Sequence, residues 1–382
     1  MKKIVTGGAL LLISASPIIA GGIERAPQSL SVLFEEGNYA ELSFGGADPT
    51  VEGTDRPLGL YPGGTPTGDV AQGYGFVGLA YKHQFDENLS AAVIMEQPFG
   101  ADVLYTPAAE GGSPLLGGTS ARVDSTTLTA LGRYRFSNNF SVHGGLRGSR
   151  ADGEVTLSGF AYGPLSGYNV KLDNPWGFGW VAGVAYEVPE IAARISLTYN
   201  SPIDHDFDTT ESSAFGQLDS ETTVTTPRSW TLEGQTGVAP DTLLFGSIRW
   251  VNWSEFRVNP QVLVAAPPSG FGVEGGLVEL EDTTTYTIGL GRKFTENWSG
   301  SASFVYEPES DDDLVSPLAP TNGRKGITLA AIYTMDNIRI TTGINYSKLG
   351  DARPETGTPD AERAQMEDND LWGIGVRIGY SF

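Results

Sequence analysis

The strongest constraint on the fold of this 382-residue chain is a two-residue alternation of side-chain type that continues to its last residue. From Trp372 to Phe382, large apolar or aromatic side chains occupy every second position, and small or charged residues occupy the positions between them. Successive side chains of a β-strand point to opposite faces, so the segment predicts a strand with one wholly apolar face. The alternation alone does not say which face points outward.

The same pattern recurs along the chain, in segments that include Val77 to Phe85, Trp176 to Tyr186, Tyr286 to Phe294 and Ile338 to Tyr346. In each segment the second face consists mainly of glycine and polar residues. Strands of membrane barrels have this character, with apolar side chains toward lipid and small or polar side chains toward the lumen.

The connections between these segments alternate between short and long. Six short turns lie near residues 86–88, 137–139, 189–190, 239–240, 295–297 and 336–337, and seven long ones span about 47–73, 100–120, 151–175, 209–218, 258–278, 307–323 and 350–367. Thirteen connections join fourteen strands, and the short turns all fall on one side, as in outer-membrane barrels. The sequence therefore predicts an all-β fold, a 14-stranded antiparallel transmembrane β-barrel.

Aromatic residues support the same interpretation. Phe85, Phe136, Phe140, Phe294 and Trp298 lie within two residues of short turns, which predicts a girdle at the inner membrane boundary. The terminal Phe382 continues the apolar face of the last strand, as is typical of proteins delivered to the outer-membrane assembly machinery.

The beginning of the chain predicts export. Met1-Lys2-Lys3 and the apolar run that follows are typical of a secretory signal peptide over residues 1–20, with cleavage before Gly21. We expect a short plug-like segment over residues 21–38 and the barrel over residues 39–382. The net charge of −22 argues against a nucleic-acid partner, and the absence of cysteine excludes disulfides and cysteine-based metal sites.

Several motifs resemble the FadL/TodX family of outer-membrane transporters for hydrophobic compounds. That family has a Pro-x-x-Trp strand followed one hairpin later by a Trp-Ser-x-Phe strand, which corresponds here to Pro227 to Trp230 and Trp253 to Phe256. The segments Tyr199 to Ile203 and Trp298 to Pro308 fit the same layout. The stretch from Gln28 to Phe44 is similar to a shorter bacterial subgroup.

The resemblance implies passive uptake of long-chain fatty acids or similar hydrophobes, through a hydrophobic lumenal site and a sideways exit beside a kinked third strand. The family's Asn-Pro-Ala hatch motif is missing, and only about eighteen residues precede the first strand, so a complete hatch is not expected. The short segment either plugs the lumen and contacts ligand or packs on the barrel floor as structural filler. The ligand-binding candidates are Ile23, Leu30, Val32, Leu33, Phe34, Phe99, Arg133 and Arg147.

The third strand is predicted from Asn88 to Phe99. Pro98 cannot donate a ladder hydrogen bond. It either ends the strand before a loop or permits a local opening, for which Gln97, Pro98 and Gly100 are the candidate residues.

Other chemistry is sparse. His143 and Ser141 are predicted on the same lumenal face, which could indicate a hydrolase. Such residues more often form the polar lining of a barrel, and we expect no enzyme. The acidic groups Asp204, Asp206, Asp208 and 311–313 could bind Ca²⁺, although solvated outer loops explain them equally. No cofactor or metal site is predicted.

Two other functions remain open at this stage, a general aqueous porin and a structural or adhesion barrel that acts through its acidic outer loops. The expected partners are a long-chain fatty acid or other hydrophobic small molecule, outer-membrane lipid, and lipopolysaccharide bridged to the acidic loops by divalent cations. A closed barrel has no edge strand that needs a partner, so a monomer is expected.

Overall fold

The computed structural model describes residues 23–25, 29–173, 176–267, 269–310, 313–357 and 359–382. The predicted signal peptide, residues 1–20, lies outside the described residues. No helix in the described part of the chain has the length and apolar character needed to cross a membrane.

Fourteen antiparallel strands form one closed β-barrel. They are β1 Tyr39–Thr50, β2 Tyr74–Gln84, β3 Leu89–Glu96 resuming at Gly100–Leu104, β4 Ser120–Arg135, β5 Phe140–Leu157, β6 Tyr168–Asp173 resuming at Gly177–Val188, β7 Ala193–Asn200 resuming at Ile203–Ser213, β8 Gly216–Thr226 resuming at Ser229–Ala239, β9 Thr242–Val251, β10 Thr283–Lys293, β11 Trp298–Glu307, β12 Arg324–Met335, β13 Ile338–Leu349 and β14 Asp370–Ser381. The predicted strand number and fold class are confirmed.

Closure occurs between the first and last strands. Tyr39 of β1 is opposite Ser381 of β14, and the pairing continues to Thr50 opposite Asp370. On its other side β1 pairs with β2. Both edges of β1 are therefore paired, and the barrel has no open sheet edge where its first and last strands meet.

The apolar side chains of the alternating segments point out of the barrel, as predicted. Along β14, Trp372, Ile374 and Tyr380 are exposed, while Gly373 and Gly375 are buried on the lumenal side. Trp372 and Tyr380 are eight residues apart, which corresponds to about 20 Å along the membrane normal for a strand tilted by roughly 40°. That span suits the apolar band of an outer-membrane barrel.

The short turns lie together at one end of the barrel, as predicted. Asn139, Asp241 and Asp336 adopt positive φ of 69°, 58° and 50° in three of them. Asparagine and aspartate tolerate this left-handed conformation better than most residues, which explains their presence in such tight connections. The aromatic residues predicted to flank these turns are all exposed, namely Phe85, Phe136, Phe140, Phe294 and Trp298.

One predicted long connection is wrong. Residues 209–218 form not a loop but the tip of a hairpin, because β7 runs to Ser213 and β8 begins at Gly216. The outward positions here are polar. Asp204 and Asp206 accept hydrogen bonds from Thr225 and Thr223 of the neighbouring strand. Strands β7 and β8 therefore extend past the apolar band, where the sequence pattern no longer marks them as membrane strands.

The outer connections carry small elements of their own and cover the barrel mouth. They include the 3-10 helices Ala108–Glu110, Phe160–Leu165 and Trp253–Glu255, the α-helix Gln261–Val264, the strand pair Gly53–Asp55 with Ala364–Met366, and the three short strands Leu314–Val315, Arg353–Thr356 and Ala361–Glu362. Two further 3-10 helices, Ser31–Phe34 and Pro189–Ile191, lie near the opposite end. Buried apolar side chains from these loops form one large core at the outer end.

Candidate functional site

Strand β3 is interrupted at Pro98 and then continues. Its first segment ends with Glu96 opposite Thr127, and its second begins with Gly100 opposite Asp124, so the register against β4 shifts by one residue. An extra residue on one strand is the geometry of a β-bulge. Pro98 therefore does not end the strand before a loop, and the first of the two readings of this residue is wrong.

The interruption leaves a gap in the wall on the β2 side. Pairing between β2 and β3 stops at Leu79 opposite Met95. It resumes only above β2, where the backbone N–H of Leu104 donates to the carbonyl of Val70 at 2.9 Å. We call the gap between residues 74–78 and 97–101 the β2–β3 window. Across it, the Val77 N–H donates to the side-chain Oε1 of Gln97 at 2.9 Å.

Residues 23–25 lie against this window from the lumen. The Arg25 N–H donates to the Pro98 carbonyl, and the Gly100 N–H donates to the Ile23 carbonyl, each at 2.8 Å. Residues 23–25, which we call the tripeptide, thus form hydrogen bonds with backbone groups that the interrupted strand leaves free. A Cβ at Gly100 would lie 2.4 Å from the Arg25 guanidinium, so a larger residue here would displace that side chain.

Two ion pairs hold the tripeptide. Glu24 is 1% exposed and accepts two hydrogen bonds from Arg249 of β9, at 2.5 and 3.2 Å. Arg25 pairs with Asp124 at 2.9 Å and lies 4.8 Å from the ring centroid of Tyr74. A buried, bidentate carboxylate–guanidinium pair has a strict geometry. The tripeptide is therefore fixed on both sides of the lumen.

The motif Trp253 to Phe256 packs against the interrupted strand at Phe99. The Trp253 side chain is fully buried, and its ring is perpendicular to those of Phe99 and Phe256, with centroids 5.8 Å apart in both cases. Phe99 and Trp253 belong to the apolar core beneath the outer loops. The interrupted strand is thereby connected to the loop core through one aromatic contact.

A second cluster surrounds the helix Ser31–Phe34 nearer the short-turn end. Four apolar side chains in and just before this helix are buried, Leu30, Val32, Leu33 and Phe34. They pack with wall residues Tyr39, Ala92, Ile94, Leu131, Val181 and Ala185. Two guanidinium groups lie over the Phe34 ring, that of Arg133 at 4.5 Å and that of Arg194 at 4.1 Å from its centroid.

The residues after this helix bind to the barrel wall through charged groups. Glu35 forms an ion pair with Arg339 at 2.8 Å. Burial raises the pKa of Glu35, while Arg339 acts in the opposite direction. Lys82 is 1% exposed and donates to the carbonyls of Glu35 and Gly37 at 2.6 and 3.1 Å. We call residues 29–37 the lumenal segment.

The predicted site residues thus separate into groups. Ile23, Phe99 and the three opening candidates Gln97, Pro98 and Gly100 meet at the window. Leu30, Val32, Leu33 and Phe34 meet Arg133 in the lumenal cluster. Arg147 joins neither group. It is buried between them, where the charges of Glu96, Arg249 and Glu24 act on it.

The sequence did not predict three residues of the site, Glu24, Arg249 and Arg194. Arg249 and Arg194 occupy lumen-facing positions of their strands, so parity alone could have added them to the candidate arginines. Glu24 lies before the first strand, where no alternation exists to assign it a direction.

The polar residues considered for other chemistry are not arranged for it. The His143 Nε2 lies 3.0 Å from the Thr198 hydroxyl, whereas the Ser141 hydroxyl accepts a hydrogen bond from Arg133 at 3.1 Å. His143 and Ser141 therefore do not form a nucleophile–base pair. Across the ranges that the structure describes, no three His, Asp or Glu side chains are grouped as a metal site would require.

Comparison with known proteins identifies the fold and the family. Residues 42–382 match the family described as "Outer membrane protein transport protein (OMPP1/FadL/TodX)". The long-chain fatty acid transport protein of Escherichia coli O6:H1 is 22% identical over 308 residues, covering 69% of this chain and 68% of that protein. The one from Salmonella typhi is 24% identical over 329 residues, covering 74% and 71%.

Solved structures share the barrel. A FadL homologue of Pseudomonas aeruginosa superimposes with a TM-score of 0.75 at 15% identity, over 92% of both chains. The toluene transporter TbuX of Ralstonia pickettii gives a TM-score of 0.63 at 13% identity, over 96% of this chain and 97% of that one. At such identities the likeness concerns the fold.

Proposed function

This chain belongs to the OMPP1/FadL/TodX family of outer-membrane transport proteins, and from that premise we propose that it takes up long-chain fatty acids or similar hydrophobic compounds passively. The family consists of hydrophobic-compound channels and not of enzymes. In this proposal the ligand enters from the outer loops, occupies an apolar site in the lumen, and leaves sideways through the β2–β3 window into the membrane.

One observation carries the proposal, the gap in the wall beside the interrupted β3. Between Leu79 and Gln72 no backbone ladder joins this side of the wall to β3, and the Gln97 side chain supplies the contact to Val77 instead. A wall section without ladder bonds separates more easily than one with a complete ladder, because fewer hydrogen bonds must break. Aqueous porins have no need of such a section.

The chemistry of the ligand favours a sideways exit. An alkyl chain in water costs about 0.8 kcal/mol for each exposed methylene group. A route from the apolar loop core past Phe99 into the bilayer avoids that cost, whereas the route along the barrel axis meets the buried charges of Lys82 and Arg133.

The lumenal segment supports the same direction of movement. Phe34 and its apolar neighbours occupy the barrel on the short-turn side of the window and pack on the wall. We assign this segment the role of a plug that blocks axial passage. The candidate ligand contacts are then Ile23 and Phe99 at the window, because Leu30 and Leu33 are buried against the barrel wall.

A cross-link across the window tests the exit route. The chain contains no cysteine, so Val77→Cys and Gln97→Cys can be joined by a short bis-maleimide in whole cells. We expect the cross-linked protein to lose uptake of radiolabelled oleate, with uptake recovering when a cleavable linker is cut. The matched control joins Leu42→Cys to Leu79→Cys, which are opposite each other on β1 and β2 and exposed to lipid.

Two results would overturn parts of the proposal. Unchanged oleate uptake in the cross-linked protein would show that the ligand leaves along the axis. Normal hydrophobe uptake after deletion of the gene, with large open-channel conductance of the purified protein in planar bilayers, would favour an aqueous porin instead.

A further inference from the structure

We propose that the short-turn end of the barrel contains a binding site for an oxyanion, a carboxylate or phosphate group, centred on Arg194. The site is separate from the window and opens at the end where the short turns lie. It is therefore accessible from the periplasmic side and goes beyond the uptake of hydrophobic compounds.

A cavity of about 550 Å³ lies beneath the lumenal segment. Phe34 and Glu36 form part of its upper side, while Asn88 and Pro189 of two short turns line its mouth. The lumenal segment thus encloses the cavity on one side, and the cavity opens between the short turns on the other. Arg194 reaches it from the start of β7.

The guanidinium group of Arg194 lacks the partner that its burial demands. Arg194 is 7% exposed, and its guanidinium lies 4.1 Å from the centroid of the Phe34 ring. In the described part of the chain no side chain or backbone oxygen accepts a hydrogen bond from it, and neither Glu187 nor Glu233 forms an ion pair with it. A guanidinium has five N–H donors, and those of Arg194 stay accessible from the cavity, so they can receive an anion.

The charges around the cavity are unevenly distributed. Its cationic residues are Lys82, Arg133, Arg135, Arg194 and Arg339, and its carboxylates are Glu35, Glu36, Glu87 and Glu187. Glu187 is paired with Arg133 and Glu35 with Arg339, while Glu36 and Glu87 are exposed at the mouth. The cationic residues that line the cavity thus outnumber its carboxylates by five to four, in a protein with a net charge of −22.

The ring of Phe34 helps to position the guanidinium of Arg194. Its centroid lies 4.1 Å from the guanidinium carbon, and both residues line the cavity. In-plane donors bind both oxygens of a carboxylate or phosphate at once. An occupant would also strengthen the contact between Arg194 and the lumenal segment, because it fixes the guanidinium over Phe34.

Calorimetric titration of the full-length protein in a neutral detergent tests the site, with inorganic phosphate and octanoate as separate probes. We expect at least one probe to bind and Arg194→Gln to weaken its affinity about tenfold or more, the loss of a charge-assisted bidentate contact. Arg194→Lys, which keeps the charge but not the fork, should show an intermediate loss and guards against misfolding of the first variant. Arg292→Gln, an exposed arginine at the same end of the barrel, serves as the control and should leave affinity unchanged.

The two probes separate the sources of the anion. Binding of phosphate that depends on Arg194 identifies a site for small periplasmic anions, and dependence for octanoate alone identifies a site for the head group of an amphiphile. Affinities for both probes that are the same in Arg194→Gln, Arg194→Lys and the unaltered protein would overturn the proposal.

Discussion

The backbone N–H of Val77 donates to the side-chain oxygen of Gln97 at 2.9 Å, at a point where a backbone carbonyl of β3 would accept it in a regular ladder. The β2–β3 seam has lost its register here, since pairing stops at Leu79 opposite Met95. A side chain can rotate away without moving either strand. The wall is therefore closed at this position by a reversible contact.

Replacing Gln97 with alanine removes that contact. A single neutral hydrogen bond contributes about 1 kcal/mol, so we expect the open population of the window to rise about fivefold. Initial uptake of a fluorescent fatty acid by cells at limiting ligand should increase by a similar factor. Barrel stability should be unchanged, because the flanking ladders remain.

Gln217→Ala is a suitable comparison for Gln97→Ala, because Gln217 is exposed on the hairpin tip between β7 and β8. Equal uptake rates in Gln97→Ala and Gln217→Ala would mean that this hydrogen bond does not control the window.

Replacing Glu24 with glutamine should release residues 23–25 from the window. The change leaves Arg249 buried without its charged partner, which costs about 3–5 kcal/mol if the structure stays as it is. We expect the tripeptide to detach instead, which admits water to Arg249 and breaks the Arg25–Asp124 ion pair and the two backbone hydrogen bonds to β3. Hydrogen exchange at Gly100, whose N–H donates to the Ile23 carbonyl, should then become faster by two orders of magnitude or more.

The pair between Lys325 and Glu309 provides the contrast for Glu24. Its charged atoms are 3.7 Å apart, and both side chains are more than half exposed. Exposed pairs of this kind contribute about 0–1 kcal/mol, so Glu309→Gln should leave exchange at Gly100 unaltered. Slow exchange at Gly100 in Glu24→Gln would show that the ion pair is not what holds the tripeptide.

The barrel could be derived from the sequence because the membrane imposes one simple rule on each strand. Trp372, Ile374 and Tyr380 face lipid, so their alternation with glycine shows directly which side of the strand points out of the barrel. The rule fails beyond the apolar band. The polar outward positions Asp204 and Asp206 carry no such signal, and the sequence predicts a loop over residues 209–218, at the end of the same hairpin.

The site could be derived only in part. Pro98 marked the interruption in β3, and the apolar run Leu30 to Phe34 marked a segment too hydrophobic for solvent. The ion pair of Glu24 with Arg249 joins residues 225 positions apart. Neither residue type is unusual where it stands, so only the closed barrel brings them together.

Phe34→Ala tests the role of the lumenal segment as a plug. Truncation of a buried phenylalanine costs about 3–5 kcal/mol, and here the contacts of two guanidinium groups with the ring are lost as well. We expect the segment to leave its position and the purified protein to show open-channel ion conductance in planar bilayers. The lipid-facing variant Phe294→Ala, made at an exposed ring near a short turn, should remain closed. A closed Phe34→Ala barrel would assign the segment to structural filler.

The outer loop over residues 252–282 should lose its fixed position at low pH through Asp282. Burial opposes ionisation of this carboxylate, but the Ser254 N–H at 2.9 Å and the Asn252 amide at 3.0 and 3.1 Å bind it and lower its pKa below the usual 3.8. The stabilisation is therefore complete above about pH 4 and disappears as the pH falls through the lowered pKa. The buried Trp253 reports the change, as a red shift of the emission that remains after subtracting the spectrum of Trp253→Phe. Asp282→Asn should remove this acid transition and show a partly shifted emission already at pH 7, whereas an acid transition unchanged in Asp282→Asn would locate the responsible group elsewhere.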